Sequence, residues 1–303
     1  MFKKIMLITV VFALVCSLMA CSSNSESETG TDPTSTPTNL PTVTQGTVSE
    51  EAEPEMMEMV IVDNENVTFK ITGIDPNGLL GYTVKIFAEN KTDRNLMFSL
   101  QDVSVNGFMC DPMWASTISA GMKSNETITF LTSNLRDNGI ETVTRIDFTL
   151  NVYNSDDWTE EHLVENTFTV YPLGEEAVEP YERVPVGSDI ILVDDETCTV
   201  IVTGFDPDST FGYEMNVYVE NRTNKNLMFS ASNVAINGFM CDPYWAVTVA
   251  PGMRSNSSMT WFRSDLDNNG ITQVTDITWN LRVYDSNNWA EDDIFSKTFT
   301  VHP

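Results

Sequence analysis

From residue 57 to residue 303 the apolar positions recur with a period of two, the spacing at which a β-strand places alternate side chains on one face. In GYTVKIFAEN, the residues Tyr82, Val84, Ile86 and Ala88 share a face. In TRIDFTLNVYN the shared set is Ile146, Phe148, Leu150 and Val152. Further strands are predicted around Val67, Phe69 and Ile71, around Val103 and Val105, around Ile128 and Phe130, and around Phe168 and Val170.

The pattern then runs a second time. Ile61–Pro172 aligns with Leu192–Pro303 at one fixed offset and without insertion. Roughly half of the aligned positions are identical, which marks a duplication. Tyr213, Met215, Val217 and Val219 answer the first set, and Ile277, Trp279, Leu281 and Val283 the second. The best-kept stretch, NLMFS followed by NGFMCDP and a Trp-Ala pair, lies at Asn95–Ala115 and again at Asn226–Ala246. About six to eight short strands per copy, separated by turns, predict an all-β chain of two tandem antiparallel Ig-like β-sandwich domains, with a half-open barrel as the alternative. The first sandwich is expected over 57–172 and the second over 188–303, joined by a Pro-rich acidic linker over 173–187. One helical turn per copy is predicted in SNLRDNGI and SDLDNNGI. There Ser133 and Ser264 would cap, Leu135 and Leu266 would pin, and Gly139 and Gly270 would supply the left-handed stop.

The N-terminal segment follows other rules. MFKK carries its only two charges, and Ile5 to Ala20 are apolar or small, the layout of an export signal over 1–20. The run is too short to span a membrane comfortably. It ends in Leu18, Met19, Ala20 and Cys21, which resembles the lipobox of bacterial lipoproteins and implies lipidation at Cys21. Residues 21–56 are Ser, Thr, Pro and acids with little to bury, so a disordered tether is expected. A flexible coil of about 35 residues reaches only roughly 30–35 Å.

A net charge of −28 argues against nucleic acid and against anionic lipid surfaces as partners, and suits an extracytoplasmic protein. The five sequons, at Asn66, Asn90, Asn125, Asn221 and Asn256, read most simply as polar loop residues.

Duplication also filters candidate chemistry, because a role belonging to the domain should recur. His162 aligns with Asp293 and His302 with Tyr171, so neither supports a duplicated acid/base or metal centre. Cys110 and Cys241 do recur, while Cys198 replaces Val67 on an apolar strand face. Buried free thiols are the plainer reading, and Cys110–Cys241 and Cys198–Cys241 are the disulfides otherwise to be considered. In DPMWA and DPYWA, Asp111 with Trp114 and Asp242 with Trp245 form the candidate ligand surface, an aromatic platform beside an Asp-Pro turn; the competing reading has each indole closing the end of its core. The acidic loops NSDDWTEE and DSNNWAED admit calcium as the one conceivable cofactor, although Asn287 and Asn288 stand where the first copy has Asp156 and Asp157. The basic positions Lys91, Arg94, Arg222 and Lys225 suit the neutralisation of neighbouring acids better than capture of an anionic partner.

The lipobox, the Ser/Thr-rich tether and the series of a strand, an ENKT-type turn, a PGM-type turn, a capped helical turn and a terminal strand resemble the uncharacterised Ig-like domains of Gram-positive surface lipoproteins. The resemblance implies a fold and a cell-envelope location and transfers no site. The expected function is that of a membrane-anchored, non-enzymatic binding or scaffold lipoprotein on the extracytoplasmic face of the membrane. Its partners would be the membrane, through the lipid, and an envelope protein or wall polymer, with no nucleic acid. The alternatives are a calcium-dependent module stiffened by the acidic loops and an enzyme acting on wall glycan, for which a converging carboxylate pair would be needed.

Overall fold

The computed structural model describes residues 58–112 and 114–303. Cys21, the expected signal segment and the expected tether lie outside the described residues. Among the described residues no helix is long and apolar enough to cross a membrane.

The chain is all-β. The first copy runs β1 (Met59–Asp63), β2 (Val67–Gly78), β3 (Gly81–Asn90), β4 (Leu96–Val105), β5 (Phe108–Met109), β6 (Ala115–Ile118), β7 (Lys123–Leu131), α1 (Thr132–Asp137), β8 (Ile146–Asn154) and β9 (Val164–Val170). One sheet has the order β1-β2-β3-β7; facing it, β4 pairs with β8 on one side and with β5 and β6 on the other, and β9 pairs with β8. Within the copy every pairing is antiparallel. The order is the immunoglobulin Greek key, with β2, β3 and β7 as strands A, B and E, with β6, β4, β8 and β9 as C′, C, F and G, and with β1 added outside A. The second copy repeats it through β10 (Ile190–Asp194), β11 (Cys198–Asp206), β12 (Gly212–Asn221), β13 (Leu227–Ile236), β14 (Phe239–Met240), β15 (Ala246–Val249), β16 (Arg254–Phe262), α2 (Arg263–Asn268), β17 (Ile277–Asp285) and β18 (Phe295–Val301).

The alternating residues of β3, β8, β12 and β17 are all buried and fill the space between the sheets. Phe130 and Phe148 of the first core are replaced by Trp261 and Trp279 in the second, both fully buried. An apolar void of about 20 Å³ lies among Phe130, Phe148 and their neighbours, room for a single water and not for a ligand. Gly81 and Gly212 open the B strands at positive φ, and a Cβ there would stand 2.0 Å from the carbonyl oxygen of Phe130 or Trp261, so only glycine fits.

Two expectations are corrected. The N-cap positions of α1 and α2 are Leu131 and Phe262, with no side-chain cap, so Ser133 and Ser264 sit inside the first turn. The helices are held instead by their buried Leu135 and Leu266 and by the 6→1 bonds from Ile140 and Ile271 N–H to the carbonyls of those leucines, closing over left-handed Gly139 and Gly270. Nor are four of the five sequon asparagines loop residues: Asn125 and Asn256 lie within β7 and β16, and Asn90 and Asn221 are each the last residue of a B strand and fully buried. The Asn90 amide donates to the carbonyls of Arg94 (2.7 Å) and Ile118 (2.8 Å) and accepts from the backbone N–H and hydroxyl of Thr92 (3.0 and 2.7 Å). Asn221 makes the same four bonds to Lys225, Val249 and Thr223. One buried side chain thereby ties strand B to the B–C turn and to the end of C′.

The two cores are separate, yet the copies form one compact unit. At the junction, β5 of the first copy lies parallel to β16 of the second, and Arg254 N–H donates to the Gly107 carbonyl (3.0 Å). Phe108 packs on Ile201 and Tyr218, Met109 packs against the second core, and the Arg254 guanidinium lies over the rings of Phe108 (5.5 Å) and Tyr181 (4.3 Å). From the linker, Tyr181 meets Phe108 edge-on at 5.0 Å, and Arg183 stacks on Tyr218 while its two terminal nitrogens grip Asp189 (2.7 and 2.8 Å). Arg183 and the Val186 N–H together hold the Asp189 carboxyl down at about 2.

Asn90→Ala would strip partners from the buried Ile118 carbonyl, at about 1–3 kcal/mol before any rehydration, and from the part-buried Arg94 carbonyl and Thr92 N–H, at less each. A loss of about 3 kcal/mol in chemical denaturation is expected, and the same for Asn221→Ala. Asn125→Ala, at an exposed sequon, should stay within about 0.5 kcal/mol of the parent.

Candidate functional site

The stretch best kept between the copies is mostly explained by folding. In Val105–Asn106–Gly107–Phe108, Asn106 and Gly107 have φ of 50° and 81°, the two left-handed residues of a type I′ hairpin, for which Asn-Gly is the favoured pair. The Asn106 side chain then reaches across the end of the sandwich. It donates to the Thr142 carbonyl (2.7 Å) and accepts from the backbone N–H of Thr144 (2.9 Å) and Arg145 (3.1 Å). Asn237 repeats this with Gln273, Thr275 and Asp276.

Cys110, Cys198 and Cys241 are buried and free. Burial pushes the Cys110 thiol up to about 11 and the Cys198 thiol to about 12, and raises Cys241 as well. These are small apolar residues rather than nucleophiles.

Trp114 is half-buried, its ring 5.9 Å from that of Phe69 and its indole N–H donating to Glu126 (3.0 Å), whose other oxygen accepts from Ser116 and Ser124. Trp245 packs against the second core and donates to Ser257 (3.0 Å). Each indole bridges the gap between C′ and E of its own repeat and packs against its core. Asp111 and Asp242 are exposed beside them, and Tyr244 adds an exposed phenol in the second copy.

The F–G loops hold a feature that the acidic composition obscured. Trp158 and Trp289 occupy equivalent positions and are both 78% exposed. Around them the loops are fastened. Ser155 N–H donates to the Asn95 carbonyl (3.1 Å), Arg94 pairs with Glu160, and Asp157 accepts from the Thr159 N–H and hydroxyl, which lowers its carboxyl below the ordinary value. In the second copy Ser286 N–H donates to Asn226 (2.9 Å), and Lys225 pairs with Asp285 (3.2 Å) and Glu291 (3.7 Å). Backbone N–H donation from Asn287 and the Lys225 ammonium hold Asp285 low. The basic residues of the B–C turns thus face acids of their own fold: Lys91 pairs with Asp63 and Arg222 with Asp194. Each tryptophan therefore stands on a loop braced by the neighbouring turn.

Among the described residues no group of three or more His, Cys, Asp or Glu is arranged to hold a metal ion. His162 stacks on Tyr153 (5.0 Å) beside Asn151, and the matching pair in the second copy is the two-pronged Arg282–Asp293 ion pair, so this cross-strand position serves the sheet. A cleft of about 520 Å³ between the A–B hairpin and α1 carries only Arg136 and Glu141 as charged lining, and Arg136 already pairs with Asp137.

No family model and no curated protein matches the chain. Among solved structures, similar chains include the YadV chaperone, 12% identical over 73% of this chain and 92% of that one with a TM-score of 0.21. Another is the Salmonella enterica SafA pilin in complex with the SafB chaperone, 10% identical over 79% and 98% with a TM-score of 0.22. Superpositions this loose carry no weight for function, and the fold rests on strand order and register.

Replacing Trp158 and Trp289 together by Phe should remove most of the acrylamide-quenchable fluorescence of a chain with six tryptophans, and should move the unfolding midpoint by no more than about 0.5 kcal/mol equivalent. Stern–Volmer quenching beside a denaturation curve checks both.

Proposed function

We propose that the protein is a lipid-anchored, non-enzymatic binding or scaffold lipoprotein of the extracytoplasmic membrane face, with Trp158 and Trp289 as its two contact points. One observation carries the reading: a fully presented indole recurs at the same loop tip in both copies, although two acids beside it have changed to amides. An exposed indole offers a flat apolar face and an N–H donor, suited to the ring face of a sugar or to an extended peptide. Within one compact unit the two indoles are held at a set spacing rather than on independent arms, so avidity follows only for a ligand that repeats at that spacing, as a wall polymer does. The anchor assigned to Cys21 and the short tether would keep these loops near the membrane.

Two measurements test the reading. Binding of the full chain to purified wall polymer should weaken at least tenfold in Trp158→Ala or Trp289→Ala and further in the double variant; undiminished binding by the double variant overturns the assignment. Fatty-acid labelling in cells should be lost in Cys21→Ala, together with membrane retention; labelling that persists removes the anchor.

A further inference from the structure

Among the described residues, the building blocks of the junction between the copies recur, uncovered, at the two outer ends of the pair of repeats. In the first copy the Asn106–Gly107 hairpin pushes Phe108 and Met109 out as a small apolar knob, and the second copy buries it, leaving Phe108 only 3% exposed. The second copy builds the same knob. Asn237 and Gly238 have φ of 50° and 80°, the Asn237 amide makes the same clamp, and Phe239 and Met240 follow in the same positions. Here, however, Phe239 is 50% and Met240 66% exposed. Among the described residues nothing covers them.

The socket is duplicated too. In the second copy it is the outer face of the A–B–E sheet near the start of β16: the cross-strand pair Ile201–Tyr218, with Met253 and Arg254 beside it. The same register in the first copy gives the pair Lys70–Phe87, with Met122 and Lys123 beside it. The aromatic, the thioether and the cation are all retained, with Phe87 half-buried, Met122 56% exposed and Lys123 at the surface, where it pairs with Glu89 (3.2 Å). A lysine ammonium can lie over an aromatic ring as the Arg254 guanidinium lies over Phe108, although without the planar stacking of arginine.

We propose that a second copy of this chain docks here, its Phe87–Met122–Lys123 face receiving the Phe239–Met240 knob in the geometry that already joins the two repeats. Such a contact is heterologous: among the described residues each chain keeps one uncovered knob and one uncovered socket, so association continues as a head-to-tail string. The contact is weaker than the internal junction for two reasons: the partners are not covalently joined, and Lys70, which already pairs with Glu58 (2.7 Å), replaces Ile201. A net charge of −28 opposes it further, so the string is favoured by salt and by crowding of chains on one surface. The inference stands on the repeat geometry and requires neither the lipid anchor nor the loop tryptophans.

Sedimentation velocity of the full chain from about 1 µM to about 1 mM, a span that covers weak transient contacts, tests it at high salt. The weight-average sedimentation coefficient should rise with concentration. It should stay flat for Phe239→Asp and for Phe87→Asp measured separately, and mixing these two variants should restore a dimer and nothing larger, since one retains the knob and the other the socket. Lys123→Glu, at an exposed position that does not endanger folding, should weaken association at least severalfold. A parent chain that stays monomeric throughout overturns the proposal. So does association that survives Phe87→Asp while Phe239→Asp abolishes it, because that pattern means knob against knob.

Discussion

The Asn-Gly hairpin that follows strand C fixes more of this molecule than any other local interaction. A type I′ turn needs two left-handed residues in succession, and Asn-Gly supplies them at the least strain. Once the turn is made, the Asn106 amide sits at the end of the sandwich with its carbonyl and amino groups facing backbone that leaves α1 and enters strand F. The amide thereby ties the hairpin to that backbone with three hydrogen bonds, each of a size that contributes about 0.5–1.5 kcal/mol. The turn also decides what happens outside the domain. Because it is tight, the next two residues must project, and in the first copy they become the wedge between the repeats.

The junction built on this wedge works by aromatic and cation–aromatic contact rather than by ion pairing. Among the described residues, two buried nitrogens of Arg254, Nε and Nη1, find no hydrogen-bond partner, and the guanidinium packs against the rings of both Phe108 and Tyr181. Such an arrangement is tolerable for a guanidinium, which is weakly hydrated and planar, and would be costly for an ammonium. Arg183 repeats the choice on Tyr218, with the paired Asp189 carboxylate taking its outer edge. The linker therefore packs as a third wall of the interface.

The period-two pattern made the sheets legible, since a strand buried on one face writes its orientation directly into the sequence, and every member of the four alternating sets is in a core. What composition concealed was the difference between a polar residue that faces water and one that replaces water. Asn90 and Asn221 look like sequon asparagines in turns, and only the three-dimensional placement of C′ shows that their amides substitute for solvent at a closed edge. The serines of the helical turns misled in the opposite direction: a hydroxyl near a helix start suggests a cap, but the strand leads into the helix without a break and the buried leucine does the fixing. Trp158 and Trp289 were hidden by their acidic neighbours. The signal was present, for a large apolar residue kept between two loops whose acids have changed is not being kept for solubility.

Duplication separates the demands of the fold from the demands of the surroundings. A residue kept in both copies and buried in both, such as Asn90 with Asn221, is explained by the domain alone. A residue kept in both copies and exposed in both, such as Trp158 with Trp289, has no such explanation and points outward. Phe108 and Phe239 form a third category, with the same turn, the same side chain and opposite burial. The hairpin needs only its Asn and Gly to form, so the turn itself does not demand phenylalanine in the next position. An aromatic that costs solubility at an acidic surface yet remains at the free end is what a molecule would carry if that end, too, were to be covered.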